Sequence, residues 1–196
     1  MATLYFVRHG RTLFNEREII QGWVDSPLTP EGEEQAARVG RYFAHEGISF
    51  DHAYASTLAR THQTLEGITD MPFERVAGLK EWGFGTFEGE HVYLMPPWPW
   101  GEFFKGFGGE SQDEFRERIC STVRALMERP GHESVLMVSH GSASRELIAA
   151  VRGDALDHYQ VVPGNCSVAR YGFDGVELTL EEVVEQDDMK KILGEA

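Results

Sequence analysis

Positive charge is scarce in this chain: 18 Lys and Arg face 32 Asp and Glu over 196 residues, a formal charge of -14. Nucleic acids and anionic membranes call for a basic surface, so neither is an expected partner. Cysteine is scarcer still. Cys120 and Cys166 stand far apart in no CxxC spacing, and both are expected as reduced thiols of a cytoplasmic protein. No apolar run approaches the roughly 20 residues that cross a bilayer. The start, MATLYFVRHG, lacks the basic segment, long apolar stretch and small-residue site of a secretory signal. No HExxH or comparable ligand spacing links the histidines, so no metal and no cofactor is expected. Nor does any repeat, charge block or linker divide the chain. Residues 1–196 read as one domain.

What the chain does have is an alternation of short apolar runs and helical periodicities. Thr3 to Val7 is a β-favouring run that stops at Arg8-His9-Gly10. A helix is expected from Pro30 to Glu46, capped by Thr29 and stopped by Gly47. A strand near Ala53 to Ala55 leads into a helix from Thr57 to Ile68. Ser111 and Glu114 form a capping-box pattern before a stripe of Phe115, Ile119, Thr122, Val123 and Leu126, ended by Pro130-Gly131. Val135 to Val138 is a second apolar strand that stops at Ser139-His140-Gly141, and a helix carrying Leu147, Ile148 and Val151 follows. Cys166 to Phe173 and Val176 to Val184, joined through Asp174-Gly175, read as a hairpin.

Strands alternating with helices predict an α/β fold. Its expected form is a three-layer α/β/α sandwich with a mainly parallel central sheet and an antiparallel edge or hairpin. The irregular stretch Gly83 to Gly109, rich in Gly, Pro and aromatics, reads as a lid-like insertion.

In such a sheet, ligands bind beyond the carboxyl ends of the strands. Two strands place a His-Gly pair there, His9-Gly10 and His140-Gly141, while Arg8 adjoins one and Arg60 opens a nearby helix. Two guanidiniums and two imidazoles suit a phosphoryl group. Guanidinium forks match its oxygens, and imidazole can be a neutral nucleophile or a proton donor near pH 7. The backbone N–H after His140, at a helix N-terminus, is a further anion ligand.

Arg8-His9-Gly10 with Thr12 and Asn15, Gln21-Gly22, Asp25-Ser26-Pro27-Leu28-Thr29 and Gly32 make an ordered set. It continues through Ser56, Leu58, Arg60, Thr64, Leu79, Glu81, Glu88-Gly89, Gly109-Glu110-Ser111 and Ser139-His140-Gly141. The set resembles the histidine phosphatase superfamily, which also contains the cofactor-dependent phosphoglycerate mutases. The resemblance implies a phosphoglycerate mutase-like fold and a histidine acid phosphatase-type phosphomonoesterase acting on a small phosphate ester. It further implies His9 as the nucleophile that becomes phosphohistidine, and Arg8, Arg60, His140 and Asn15 as phosphate ligands. Glu81 would be the proton donor, with Glu88 as the competing choice. Gly141, Gln21 and Gly22 join as further phosphate-site candidates.

Other readings stay open at this level. A mutase would return the phosphoryl group to a second hydroxyl, and an inactive phospholigand-binding module would only hold it. Between Gly89 and Gly108, Lys105 is the sole permanent cation, which disfavours the mutase. Arg11 adds charge at the mouth or faces solvent. The run from Tyr93 to Trp100, with Phe103, Phe104 and Phe107, lines a leaving-group pocket or, the preferred reading, packs the insertion onto the body. The remaining histidines read as surface or structural. A homo-oligomer is left open.

Overall fold

The structure, a computed structural model, describes residues 1–153 and 162–195; His158 lies outside them. One six-stranded sheet runs through the molecule. Its strands are β1 (Ala2–Arg8), β2 (His52–Ala55), β3 (Glu74–Arg75), β4 (Ser134–Ser139), β5 (Val168–Phe173) and β6 (Leu178–Val184). Their order is β3-β2-β4-β1-β5-β6. The pairings among β3, β2, β4 and β1 are parallel, whereas β5 lies antiparallel to both β1 and β6. The mainly parallel sheet with an antiparallel hairpin at one edge is therefore present.

β1 and β4 form the centre, and their side chains are buried on both faces, which is why both read as unbroken apolar runs. On one face Phe6, Leu4, Val135 and Met137 pack under α4 (Gln112–Met127) and α5 (Gly141–Arg152), together with Trp82, Phe84 and Phe104. On the other, Tyr5, Val7, Leu136 and Val138 pack under α2 (Pro30–His45), α3 (Ala59–Ile68) and α6 (Gln186–Leu193). A short helix, α1 (Leu13–Glu16), follows β1. The result is three layers, α/β/α.

Caps set the helix boundaries. Thr29 accepts from Gly32 N–H at the start of α2, and Ser111 and Glu114 form the reciprocal box that opens α4. The helix expected from Thr57 begins later, at Ala59, after an extended Leu58 that has no side-chain cap to offer. Asp25 supplies one from a distant loop, accepting from Ala59 N–H and, at 3.4 Å, from Arg60 N–H. Three elements had no counterpart in the sequence reading: the one-turn helix α1, the two-residue strand β3, both of whose side chains are exposed, and α6, where Met189 alone is buried.

The stretch from Gly83 to Gly109 contains short 3₁₀ turns at Gly85–Phe87, Val92–Leu94 and Phe103–Phe107. Phe84 and Phe104 belong to the main core, stacked among Trp82, Trp100 and Phe87. Aromatic packing thus anchors the segment to the body. Lys105 faces outward and pairs with Glu114 at 2.7 Å.

Candidate active site

The register of the two central strands fixes the geometry. Arg8 lies opposite Ser139 in the parallel β1–β4 pair, so the next residues, His9 and His140, emerge side by side at one rim of the sheet. His9 N–H donates to Ser139 O at 2.9 Å, and the two imidazole centroids are 5.3 Å apart. Directly behind His9 the chain must pass close to the start of α2: a Cβ on Gly10 would sit 2.5 Å from Gly32 O.

The partner of His9 fixes its tautomer. His9 Nδ1 lies 2.8 Å from Gly10 O, and a carbonyl only accepts, so Nδ1 carries the proton and Nε2 keeps its lone pair. His140 Nε2 lies 2.8 Å from Ser56 Oγ. Ser56 Oγ also accepts from Leu58 N–H and lies 3.1 Å from Thr61 Oγ1, so it either donates to His140 Nε2 or, by donating to Thr61, accepts from it. Burial holds both imidazole pKa values well below 6.5, and the Arg60 and Arg8 charges push the same way.

Arg60 is fully buried at the first turn of α3. Its Nη2 donates to Gly22 O at 2.7 Å, and its Nη1 donates to Val24 O at 2.9 Å and pairs with Asp25 at 3.1 Å. Arg8 donates through Nη1 to Pro163 O at 2.6 Å. Its guanidinium passes so near the start of α5 that a Cβ on Gly141 would lie 3.2 Å from it.

Glu81 and Glu88, rivals in sequence, occupy different environments. The Glu81 carboxylate is buried and accepts from Trp82 N–H and Ser142 N–H, both at 2.9 Å. Burial raises its pKa above the usual carboxylate value, although those two N–H groups, Arg60 and Arg8 all oppose the rise. Glu88 instead gathers four backbone donors: Gly22, Trp23, Val24 and Phe84, at 2.9–3.1 Å. Its oxygens are committed to the loop that carries Arg60's carbonyl partners.

Four buried nitrogens at the rim have no hydrogen-bond partner among the described residues: Arg8 Nε, Arg60 Nε, His140 Nδ1 and Gln21 Nε2. Gln21 is oriented by Thr12, whose hydroxyl donates to its Oε1 at 2.9 Å. Unmatched donors of this kind call for an acceptor-rich anion. Asn15 is less free. Its Oδ1 accepts from Thr12 N–H and from Asn165 Nδ2.

Gly22 needs correction: its N–H goes to Glu88 and its carbonyl to Arg60, so it supports the site from behind instead of presenting a phosphate ligand. Gly141 heads α5, where the N–H lies outside the intrahelical ladder. Arg11 pairs with Glu31 at 2.7 Å on the surface.

Sequence reasoning missed Asn165, which also donates to His9 O at 3.0 Å, and Arg118. Arg118 Nη2 donates to Glu81 O, and its Nε and Nη2 each reach Glu110 at 2.7 Å. It missed Arg145 as well. Neither Asn165, in a turn after the undescribed stretch, nor the two helix arginines carry a local signal. Among the described residues, no group of three or more His, Cys, Asp or Glu is placed to hold a metal ion. No helix among them is long and apolar enough to cross a membrane.

A mainly parallel α/β fold with two imidazoles, two guanidiniums and a buried carboxyl at one rim is the arrangement of an α/β enzyme, and similarity to known proteins gives its family. The profile of the histidine phosphatase superfamily (branch 1) matches residues 4–186, and the chain belongs to that family. A broad-specificity phosphatase of Saccharomyces cerevisiae is 31% identical over 177 residues, 84% of this chain and 76% of its own. A probable phosphoglycerate mutase, GpmB, of Salmonella paratyphi A is 32% identical over 188 residues, 88% of this chain and 86% of its own. Among solved structures, a phosphoserine phosphatase from Entamoeba histolytica in complex with 3-phosphoglyceric acid superposes with a TM-score of 0.82. It is 26% identical and is covered in full, over 96% of this chain.

Proposed function

We propose that this protein hydrolyses phosphate monoesters through a phosphohistidine on His9. One observation carries the reading: three unmatched buried donors, of Arg8, Arg60 and Gln21, and the unpartnered Nδ1 of His140 gather near an imidazole whose Nε2 is kept unprotonated. In the first step, His9 Nε2 attacks phosphorus as the ester P–O bond breaks. The departing oxygen takes a proton from Glu81, whose raised pKa favours the protonated form. Gly10 O accepts from Nδ1–H and stabilises the imidazolium that forms. In the second step, Glu81 as carboxylate removes a proton from water, the water oxygen attacks phosphorus, and the P–N bond breaks to release inorganic phosphate. Arg8, Arg60, His140 and Gln21 hold the phosphoryl oxygens in both steps and stabilise the transition-state charge.

Names given to the relatives cover both phosphatases and mutases, so the assay must separate water from a second hydroxyl as acceptor. Purified protein should release phosphate from p-nitrophenyl phosphate in the presence of EDTA, and an acid-labile phosphoenzyme should be trapped on brief exposure to labelled ester. His9→Ala should abolish both. Full turnover in that variant sinks the proposal. Conversion of 3-phosphoglycerate to 2-phosphoglycerate with 2,3-bisphosphoglycerate present, and no net phosphate release, assigns the mutase instead.

A further inference from the structure

The turn that leads from Pro163 into β5 closes over the backbone of Arg8 and His9. Cys166 is buried there with φ at 54°, in the left-handed region that residues other than glycine rarely enter. Its N–H faces Arg8 O at 3.1 Å and His9 O at 3.3 Å. The side chain just before it, Asn165, donates from Nδ2 to the same His9 O at 3.0 Å. This unusual backbone therefore aims two donors at one carbonyl. The turn is itself held fast. Ser167 N–H donates to Gly164 O at 3.1 Å, Gly164 N–H to the Glu185 carboxylate at 3.2 Å, and Gln186 Nε2 to Cys166 O at 3.1 Å.

His9 is thereby tied at every polar atom behind its ring. Its N–H donates to Ser139 O, its carbonyl takes Asn165 and Cys166, and its Nδ1–H goes to Gly10 O. The N–H of Gly10, at the far side of the same peptide, donates to Thr64 Oγ1 at 2.9 Å. The direction of Nε2 follows from how this peptide is held.

The Asn165 amide has a second partner. Its Nδ2 lies 3.3 Å from Asn15 Oδ1, which also accepts from Thr12 N–H at 3.1 Å. Backbone groups decide which end of each amide is which. A carbonyl only accepts, so the Asn165 atom beside His9 O is nitrogen. An N–H only donates, so the Asn15 atom beside Thr12 is oxygen. The two assignments are independent, and they agree where the amides meet, nitrogen against oxygen. With Oδ1 occupied by two donors, Asn15 keeps its NH2 for another acceptor, and among the described residues none takes it.

We propose that Asn165 is a positioning residue with two arms. One fixes the His9 carbonyl, and with it the line along which Nε2 meets phosphorus; the other turns the Asn15 amide so that its NH2 is offered to the phosphoryl oxygens. Asn165 touches no reacting atom and acts only through these two neighbours. The first arm rests on the hydrolase reading, in which a small misalignment of the nucleophile slows attack. The second concerns anion binding and needs no turnover.

Asn165→Leu in the full chain keeps the shape of the side chain and removes its donors. Two quantities are read: Kd for inorganic phosphate by calorimetry, and the single-turnover release of p-nitrophenol, whose departing oxygen needs no proton. Kd should rise by about tenfold, the effect of one hydrogen bond to a charged group, and the rate should fall by about tenfold. In an Asn15→Leu background the same substitution should leave Kd unchanged within about twofold while the rate still falls, because only one arm is then missing. Equal Kd losses in both backgrounds, or an unchanged rate, overturns the proposal. Asn165→Asp covers the case in which leucine prevents folding. Its carboxylate sets an oxygen against two acceptors, and protonation returns one donor, so its rate deficit relative to the parent should shrink as the pH falls from about 7 to about 5. A deficit that stays constant marks a residue needed only for the fold and equally overturns the proposal. Absence of turnover in the parent strikes the hydrolase reading and leaves the phosphate Kd cycle to judge Asn165.

Discussion

The Glu88 carboxylate and the Arg60 guanidinium grip the same loop from opposite sides. Glu88 accepts from the N–H groups of Gly22, Trp23 and Val24, while Arg60 donates to the carbonyls of Gly22 and Val24. The two groups meet across one peptide: the Gly22–Trp23 unit gives its N–H to Glu88 and its carbonyl to Arg60. Because Gly22 would bring a Cβ within 2.4 Å of Glu88 Oε1 and 2.3 Å of Trp82 O, the loop has no slack through which to move independently.

Glu88→Gln should therefore act on phosphate binding through Arg60. The amide turns a donor towards at least one backbone N–H of the loop, and losing a charge-assisted bond there costs about 1–3 kcal/mol. Inhibition by inorganic phosphate should weaken by about tenfold. The diagnostic is a double-mutant cycle: in an Arg60→Lys background the Glu88 substitution should add little further. Additive losses in the two backgrounds would show that Glu88 merely stabilises the fold.

The pH profile should follow from the opposite displacements of His9 and Glu81. Attack needs His9 neutral, and its pKa is held well below 6.5; protonation of the leaving oxygen needs Glu81 neutral, and its pKa is raised above 4.5. The acid limb of kcat/KM should accordingly fall below pH 6.5, with activity persisting where an ordinary histidine is already protonated. An alkaline limb should appear for esters with poor leaving groups and disappear in Glu81→Gln. If Glu81→Gln leaves that limb in place and Glu88→Gln removes it, the proton donor has been misassigned.

Much of this frame was legible in the sequence because buried parallel strands write themselves plainly. β1 and β4 are unbroken apolar runs that end on Arg-His-Gly and Ser-His-Gly, and their pairing places both histidines at one rim. The capping box of Ser111 and Glu114 is equally local. What was hidden depends on long-range partners. Asp25 caps a helix 34 residues away, Glu88 holds a loop 64–66 residues back, and Arg145 becomes informative only once Trp98 is seen over it. α6 escaped for a simpler reason: it is only eight residues long, and its apolar face is no more than Met189, Ile192 and Leu193.

The two site histidines should also leave a mark on stability, and its sign can be worked out. In the unfolded chain an imidazole takes up its proton as the pH falls through about 6.5. In the folded protein His9 and His140 resist protonation because burial and the nearby guanidiniums lower their pKa. Below pH 6.5 the unfolded state thus binds more protons, and stability is lost as the pH falls towards the folded-state values; above 6.5 the contribution is fully present. Each histidine contributes a slope of at most about 1.4 kcal/mol per pH unit. Glu81 works in the other direction, since its raised pKa favours the folded state on acidification. Denaturant unfolding of the parent and of His140→Gln, compared between pH 6.5 and 5, cancels the Glu81 contribution common to both. The variant should lose stability less steeply across that window, and parallel curves would mean that His140 accepts its proton in the folded state as readily as in the unfolded one.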